Sequence, residues 1–211
     1  MGMALAIVGL IALVVVVVLL ARRRGAPAAP PVPRDPFAPG GYTTGDPRQL
    51  KAGDIVDYLG ERLFVRGSLR LAEGDYRWSE HFVDVMDGTA AGRRWISVEA
   101  EIDVEVVMWR EYRGAIPLLP GPPTITVDGV TYQRTEHGTA GYLSEGTTGL
   151  PATGRVEYAD YEGPDGHGLA FERFLDARGQ GTWEVSLGER VPPGTLTIYP
   201  GSGAIHPGGV A

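Results

Sequence analysis

Glu80 stands two residues from Trp78 and two from Phe82 in a stretch that alternates from one face to the other, and a similar string returns 92 positions on. Glu80-His81-Phe82-Val83-Asp84 recurs as Glu172-Arg173-Phe174-Leu175-Asp176, and each copy is followed by a glycine and a tryptophan that open another strand, at Gly92 to Trp95 and at Gly181 to Trp183. Carboxylates set among aromatic faces suit a small organic cation, which gains ion pairing and cation–π contact together. On this reading Glu80 and Glu172 share a pocket whose walls are Trp78, Trp95 and Trp183, and Gly67 leaves space beside Glu80. The competing explanation is structural. An inward carboxylate needs a partner or takes up a proton, and a backbone N–H, a Trp indole, Arg93 or Arg94 could supply that partner.

Glu80 is placed inward by a hairpin. With Glu73-Gly74 as a two-residue turn, Leu69 lies opposite Trp78, Gly67 opposite Glu80 and Val65 opposite Phe82 on one apolar face. Arg70, Ser68, Arg66 and their partners Arg77, Ser79 and His81 take the other face, which this register turns to solvent. A slip by one residue would bury the arginines, at much greater cost.

Other chemistry is thinly represented. The chain contains no cysteine, which excludes thiol catalysis, disulfides and cysteine metal sites. His81, His137, His167 and His206 are far apart and show no zinc-binding spacing. Ser79, Glu80 and His81 are consecutive in a strand, so the glutamate faces away from the other two and no triad forms. Gly201-Ser202-Gly203 lacks the setting of a nucleophile elbow, and Gly179-Gln180-Gly181 has no helix after it to hold phosphate. No catalytic constellation, metal site or cofactor site is expected.

The elements that must position these residues are strands. Period-two runs rich in Val, Ile, Tyr, Phe and Trp, separated by Gly, Pro and Asp, extend from Asp54–Leu59 to Leu196–Tyr199. The expected fold is all-β: duplicated β-barrel or sandwich-like units forming one body, over 49–112 and 124–200. The Pro-rich 117–123 joins them. A tail over 201–211 is expected to be frayed.

Residues 53 to 109 also resemble a known family. Gly53-Asp54, Phe64-Val65-Arg66-Gly67, Trp78-Ser79-Glu80 and Trp95-Ile96-Ser97-Val98-Glu99 follow in order the pattern G-D, W-x-V-x-G, W-x-E-x-x-L and W-L-x-x-E of the domain of unknown function 4178 family. Phe64, Val83 and Ile96 depart from the pattern while keeping an apolar side chain. The resemblance implies a bacterial protein without an established activity. It also implies a gene neighbourhood of spermidine-synthase-like enzymes and membrane-maintenance proteins, which makes a polyamine the implied cation.

Upstream of the body, Met3 to Ala21 is an uncharged apolar run of nineteen residues that ends in Arg22-Arg23-Arg24. A helix of that length spans about 28 Å, near the thickness of a bilayer core. Positive charge after the run and none before it argues for an uncleaved anchor over a secretory signal. Arg22, Arg23 and Arg24 then hold the rest of the chain on the cytoplasmic side of a bacterial membrane. Residues 25–48, dense in Pro, Ala and Gly, read as a linker. The net charge is −7, and setting aside the three arginines leaves 16 basic against 26 acidic residues, which disfavours nucleic acid as a partner. The expectation is a non-enzymatic, membrane-tethered cytoplasmic module that docks an unknown protein partner in envelope maintenance. The alternative is a sensor of small polyamine-like cations built on Glu80 and Glu172.

Overall fold

The computed structural model describes residues 45–201, apart from 88, 90, 91 and 101. The expected anchor, its three arginines, most of the linker and the tail beyond Gly201 lie outside the described residues. No helix among those described is long and apolar enough to cross a membrane.

Among the described residues, all regular structure beyond two short 3-10 turns is β. The strands are β1 (Ile55–Tyr58), β2 (Glu61–Glu73), β3 (Tyr76–Asp84), β4 (Arg94–Glu99), β5 (Glu105–Glu111), β6 (Thr124–Val127), β7 (Val130–Gly146), β8 (Thr153–Glu162), β9 (His167–Leu175), β10 (Glu184–Arg190) and β11 (Leu196–Tyr199). They form a single antiparallel sheet in the order β11-β1-β2-β3-β4-β5-β10-β9-β8-β7-β6, and β2 also pairs with β7. That extra pairing, Gly67 to Ala72 against Gly146 to Gly141, closes β2, β3, β4, β5, β10, β9, β8 and β7 into a ring of eight strands. A ring of this size leaves an interior wide enough for side chains or for one small ligand.

Without the terminal β11, the order reads the same from either end when β1–β5 are exchanged with β6–β10. The first hairpin of each half turns through the same backbone shape. Leu59 and Gly60 have φ of 49° and 83°, and Asp128 and Gly129 have the same two values. Two successive positive φ angles mark the type I′ turn that matches strand twist. The five-residue echo seen in the sequence falls on β3 and β9, which hold different places in this order.

β1, β11 and the first half of β2 fold back over the outside of the ring. Val56, Leu63, Leu196 and Ile198 pack there against Val83, Ile96, Val98, Val106 and Met108, all nearly inaccessible. On the other half, Val127 and Tyr132 cover Ala159, Tyr161, Leu169 and Phe171. Each such aliphatic side chain contributes about 1.5–3 kcal/mol of transfer free energy. The outer wall of the ring is therefore a core in its own right.

This overturns one expectation. The face carrying Ser68, Ser79 and His81 is buried rather than solvent-exposed, with His81 fully inaccessible. The hairpin turn falls at Gly74-Asp75, so Leu69 rather than Gly67 lies opposite Glu80. A two-residue shift leaves Glu80 on the face first assigned to it. A bulge at Arg66 then changes the parity, and Val65 pairs with Val83 on the outer side instead of with Phe82.

Candidate functional site

The interior of the ring is lined through the register. Leu69 pairs with Glu80, Glu80 with Ser97 and Ser97 with Val107. Trp109 pairs with Gly188, Gly188 with Gly168 and Gly168 with Glu162. Laterally paired residues face the same side of a sheet. Both rows therefore point into the lumen.

The upper half of that lumen is a cavity of about 320 Å³. Seven carboxyl groups border it, from Glu80, Glu99, Glu105, Glu136, Asp160, Glu162 and Glu172. Trp78, Trp109 and Tyr158 supply aromatic surface. The one arginine, Arg190, is ion-paired to Glu105 at 2.7 Å. Gly168 and Gly188 make room for the Trp109 ring, since a Cβ at these positions would lie 2.6 Å and 2.5 Å from it. The Trp109 indole then donates to Ser97 Oγ at 2.9 Å.

Glu80 and Glu172 come from β3 and β9, four strands apart in the ring of eight, and so meet from opposite walls. Their carboxyl groups hydrogen-bond each other. Glu80 also accepts from the Trp78 indole, with Nε1 3.0 Å from Oε1. Burial pushes the Glu80 carboxyl up, against the lowering effect of Trp78 and Glu172. It pushes Glu172 up much further, with the charges of Glu80 and Asp160 adding to it. Both carboxyl groups are thereby favoured in the protonated form, because two like charges side by side in a buried place are costly. Asp160 behaves similarly, pushed up to about 8 by burial and then by Glu80, Glu99 and Glu136. Its carboxyl makes no hydrogen bond or ion pair among the described residues.

Glu80, Glu172 and Trp78, expected together from the sequence, all lie on this cavity. Trp95 and Trp183 are corrected. They border a second recess of about 650 Å³, with Phe82, Arg93 and the 112–118 segment. Trp95 packs on Phe82, with ring centroids 5.4 Å apart, and Trp183 lies under Arg173 at 4.8 Å. Gly67 is corrected too, because the backbone of Thr147 and the side chain of Thr148 occupy the space beside it. Neither Arg93 nor Arg94 neutralises Glu80. Arg94 pairs with Glu61 at 2.6 Å on the outside, and Arg93 borders the second recess.

Asp160 and Trp109 were missed. Each lies in a run that alternates visibly, but which face turns inward follows from closure of the ring. Among the described residues no group of three or more His, Asp or Glu side chains is arranged to hold a metal ion. His81 lies on the other side of the wall, held by Ser68 Oγ at Nδ1 (2.8 Å) and Ser79 Oγ at Nε2 (3.0 Å), and is pushed down to about 3 by burial.

Comparison with known proteins agrees with the motifs. The chain is 40% identical over 181 residues to uncharacterized proteins of Mycobacterium bovis and Mycobacterium tuberculosis, an alignment covering 82% of this chain and 83% of each relative. No solved structure matches. Residues 51–193, a span that includes every cavity residue named above, match the family described as Domain of unknown function (DUF4178), and the chain belongs to that family.

Proposed function

We propose that the barrel is a binding module for a small organic cation, taken into the acidic half of its lumen. One observation carries this reading: seven carboxyl groups and three aromatic side chains border one cavity whose single arginine is already paired. An anion would face these carboxyl groups with the cavity's arginine already engaged by Glu105. An ammonium finds carboxylate oxygens and π faces together, in a recess where both interactions gain strength. Titrating the full chain calorimetrically with spermidine should give saturable heat, lost when Glu80→Gln and Glu172→Gln are combined. No heat at any pH between 6 and 9 sinks the reading.

The membrane tether is part of the same proposal. Met3 to Ala21 with Arg22–Arg24 would hold the module on the cytoplasmic face, and protease added outside intact cells should leave it undigested. A protein-docking role keeps one observation in its favour. β6 and β11 end the sheet order, and among the described residues each has a strand neighbour on one side only, which suits addition of a partner strand. The palindromic order and the matched turns favour an origin by duplication, along a register different from the echo at 80–84 and 172–176.

A further inference from the structure

The carboxyl groups of the cavity lie in two tiers. Glu80, Asp160 and Glu172 form the inner one, deep between opposite walls. The outer tier is one step nearer the mouth. On β4, Ser97 is the partner of Glu80, and Glu99, two residues on, is the partner of Glu105. On β8, Asp160 is followed two residues on by Glu162. Two residues along a strand amount to about 7 Å. The wall between the tiers is apolar or aromatic, from Trp78, Val107, Trp109 and Ala170.

At the rim Glu105 is ion-paired to Arg190 and Glu99 accepts from the Tyr76 hydroxyl, while Glu162 offers its carboxylate to a second charge that a monocation does not carry. A spherical quaternary ammonium fits neither tier, because the inner oxygens call for N–H donors. We propose that the ligand is a linear diammonium or longer polyammonium ion that enters end-on. Its leading primary ammonium sits among Glu80, Asp160 and Glu172, its alkyl spacer lies against Trp78 and Trp109, and its second ammonium rests at the rim by Glu99 and Glu162. This deepens the cation reading above and rests on it.

Asp160 is the independent observation. It is enclosed by the barrel on all but its cavity side, and its carboxyl has no partner among the described residues. Its oxygens open to the cavity, so a donor that enters there takes the place of solvent, and here that donor comes from the ligand. Glu172 has only Glu80 for company, so three carboxyl groups converge on a space that an –NH₃⁺ with three donors can fill.

Calorimetric titration of the full chain with 1,4-diaminobutane, butylamine and tetramethylammonium tests this. The diamine should bind at least 10-fold more tightly than butylamine, and tetramethylammonium should be the weakest. Asp160→Asn should lower affinity for both amines by 10-fold or more. Glu162→Gln, at an exposed rim position where folding is not at stake, should weaken the diamine about threefold and leave butylamine unchanged. Equal affinities for diamine and butylamine overturn the two-tier proposal while the cation reading stands. Tightest binding by tetramethylammonium also overturns it, in favour of an aromatic cage. No heat with any of the three removes the cation reading and this proposal together.

Discussion

Ser79, Glu80 and His81 are neighbours on β3, yet their side chains go to opposite sides of the barrel wall and meet opposite treatment. Outside, His81 is inaccessible to solvent and both ring nitrogens are satisfied by the Ser68 and Ser79 hydroxyls. Inside, Glu80 and Glu172 have each other and one indole, and Asp160 has nothing. Both sides bury ionisable groups, and both shift them toward the neutral form. The difference is completeness. A closed set of partners with no space beside it stabilises a fold. An open set facing 320 Å³ of cavity leaves its hydrogen-bonding capacity for something that arrives from outside.

The largest effect expected is on stability, from the outer set. His81→Ala opens a void in the wall and strands two buried hydroxyls, and should cost about 3–5 kcal/mol in chemical denaturation. Where the variant remains folded, its affinity for 1,4-diaminobutane should stay within about twofold of the parent. A large loss of affinity at unchanged stability would reverse the comparison.

Next comes the inner set. Combining Glu80→Gln with Glu172→Gln keeps shape and hydrogen bonding but removes both titratable groups. Affinity for 1,4-diaminobutane should fall about 100-fold, about 2.7 kcal/mol. Stability at pH 8.5 should rise, because no carboxyl of the pair has to be ionised in a buried place.

The two regions also predict opposite pH limbs. The folded-state value of His81 is depressed to about 3, so its contribution is complete above the unfolded value near 6.5 and is lost as pH falls toward 3. Asp160, Glu172 and Glu80 are raised, so theirs is complete below the unfolded value near 4 and is lost as pH rises, through about 8 for Asp160. Stability of the ligand-free chain should therefore decline above about pH 6.5, where the His81 contribution is complete and the carboxyl groups alone still lose theirs. Denaturation midpoints at pH 6 and 8.5 measure the decline, and Asp160→Asn should flatten it. Because bound ammonium replaces protons, affinity for 1,4-diaminobutane should rise over the same interval.

How much of this was legible differs between the two faces. The alternation of β3 and the Glu80–Trp78 pairing are local properties, and a register error of two residues left them intact. The turn at Gly74-Asp75 has a signal in retrospect: Gly74 adopts φ of 57°, the first central position of a type II′ turn, for which glycine is the favoured residue. The bulge at Arg66 has no comparable sequence mark, and with it went the placement of Val65. The burial of Ser68, Ser79 and His81 depends on β1, β11 and the start of β2 folding over the ring, a long-range event. Which aromatics share the lumen with Glu80 is likewise decided by closure between β2 and β7 and between β5 and β10. Spacing along the chain pointed to Trp95 and Trp183, whereas the ring brings in Trp109 beside Gly168 and Gly188.

The smallest predicted effect separates those tryptophans. Trp95 and Trp109 pair directly across β4 and β5, so both rings start from the same rung of the ladder and face the same lumen. Trp109 leans between Gly168 and Gly188 toward the acidic cavity, while Trp95 stacks on Phe82 in the other recess. Trp109→Leu should remove a cation–π contact of about 1 kcal/mol and weaken 1,4-diaminobutane about fivefold. Trp95→Leu loses a similar apolar area, so the two variants control for each other in stability, but its affinity should stay within about twofold of the parent. If Trp95→Leu weakens the diamine as much as Trp109→Leu does, the ligand occupies both recesses, and the Glu80–Glu172 pair would then be a waist it passes rather than the floor on which it rests.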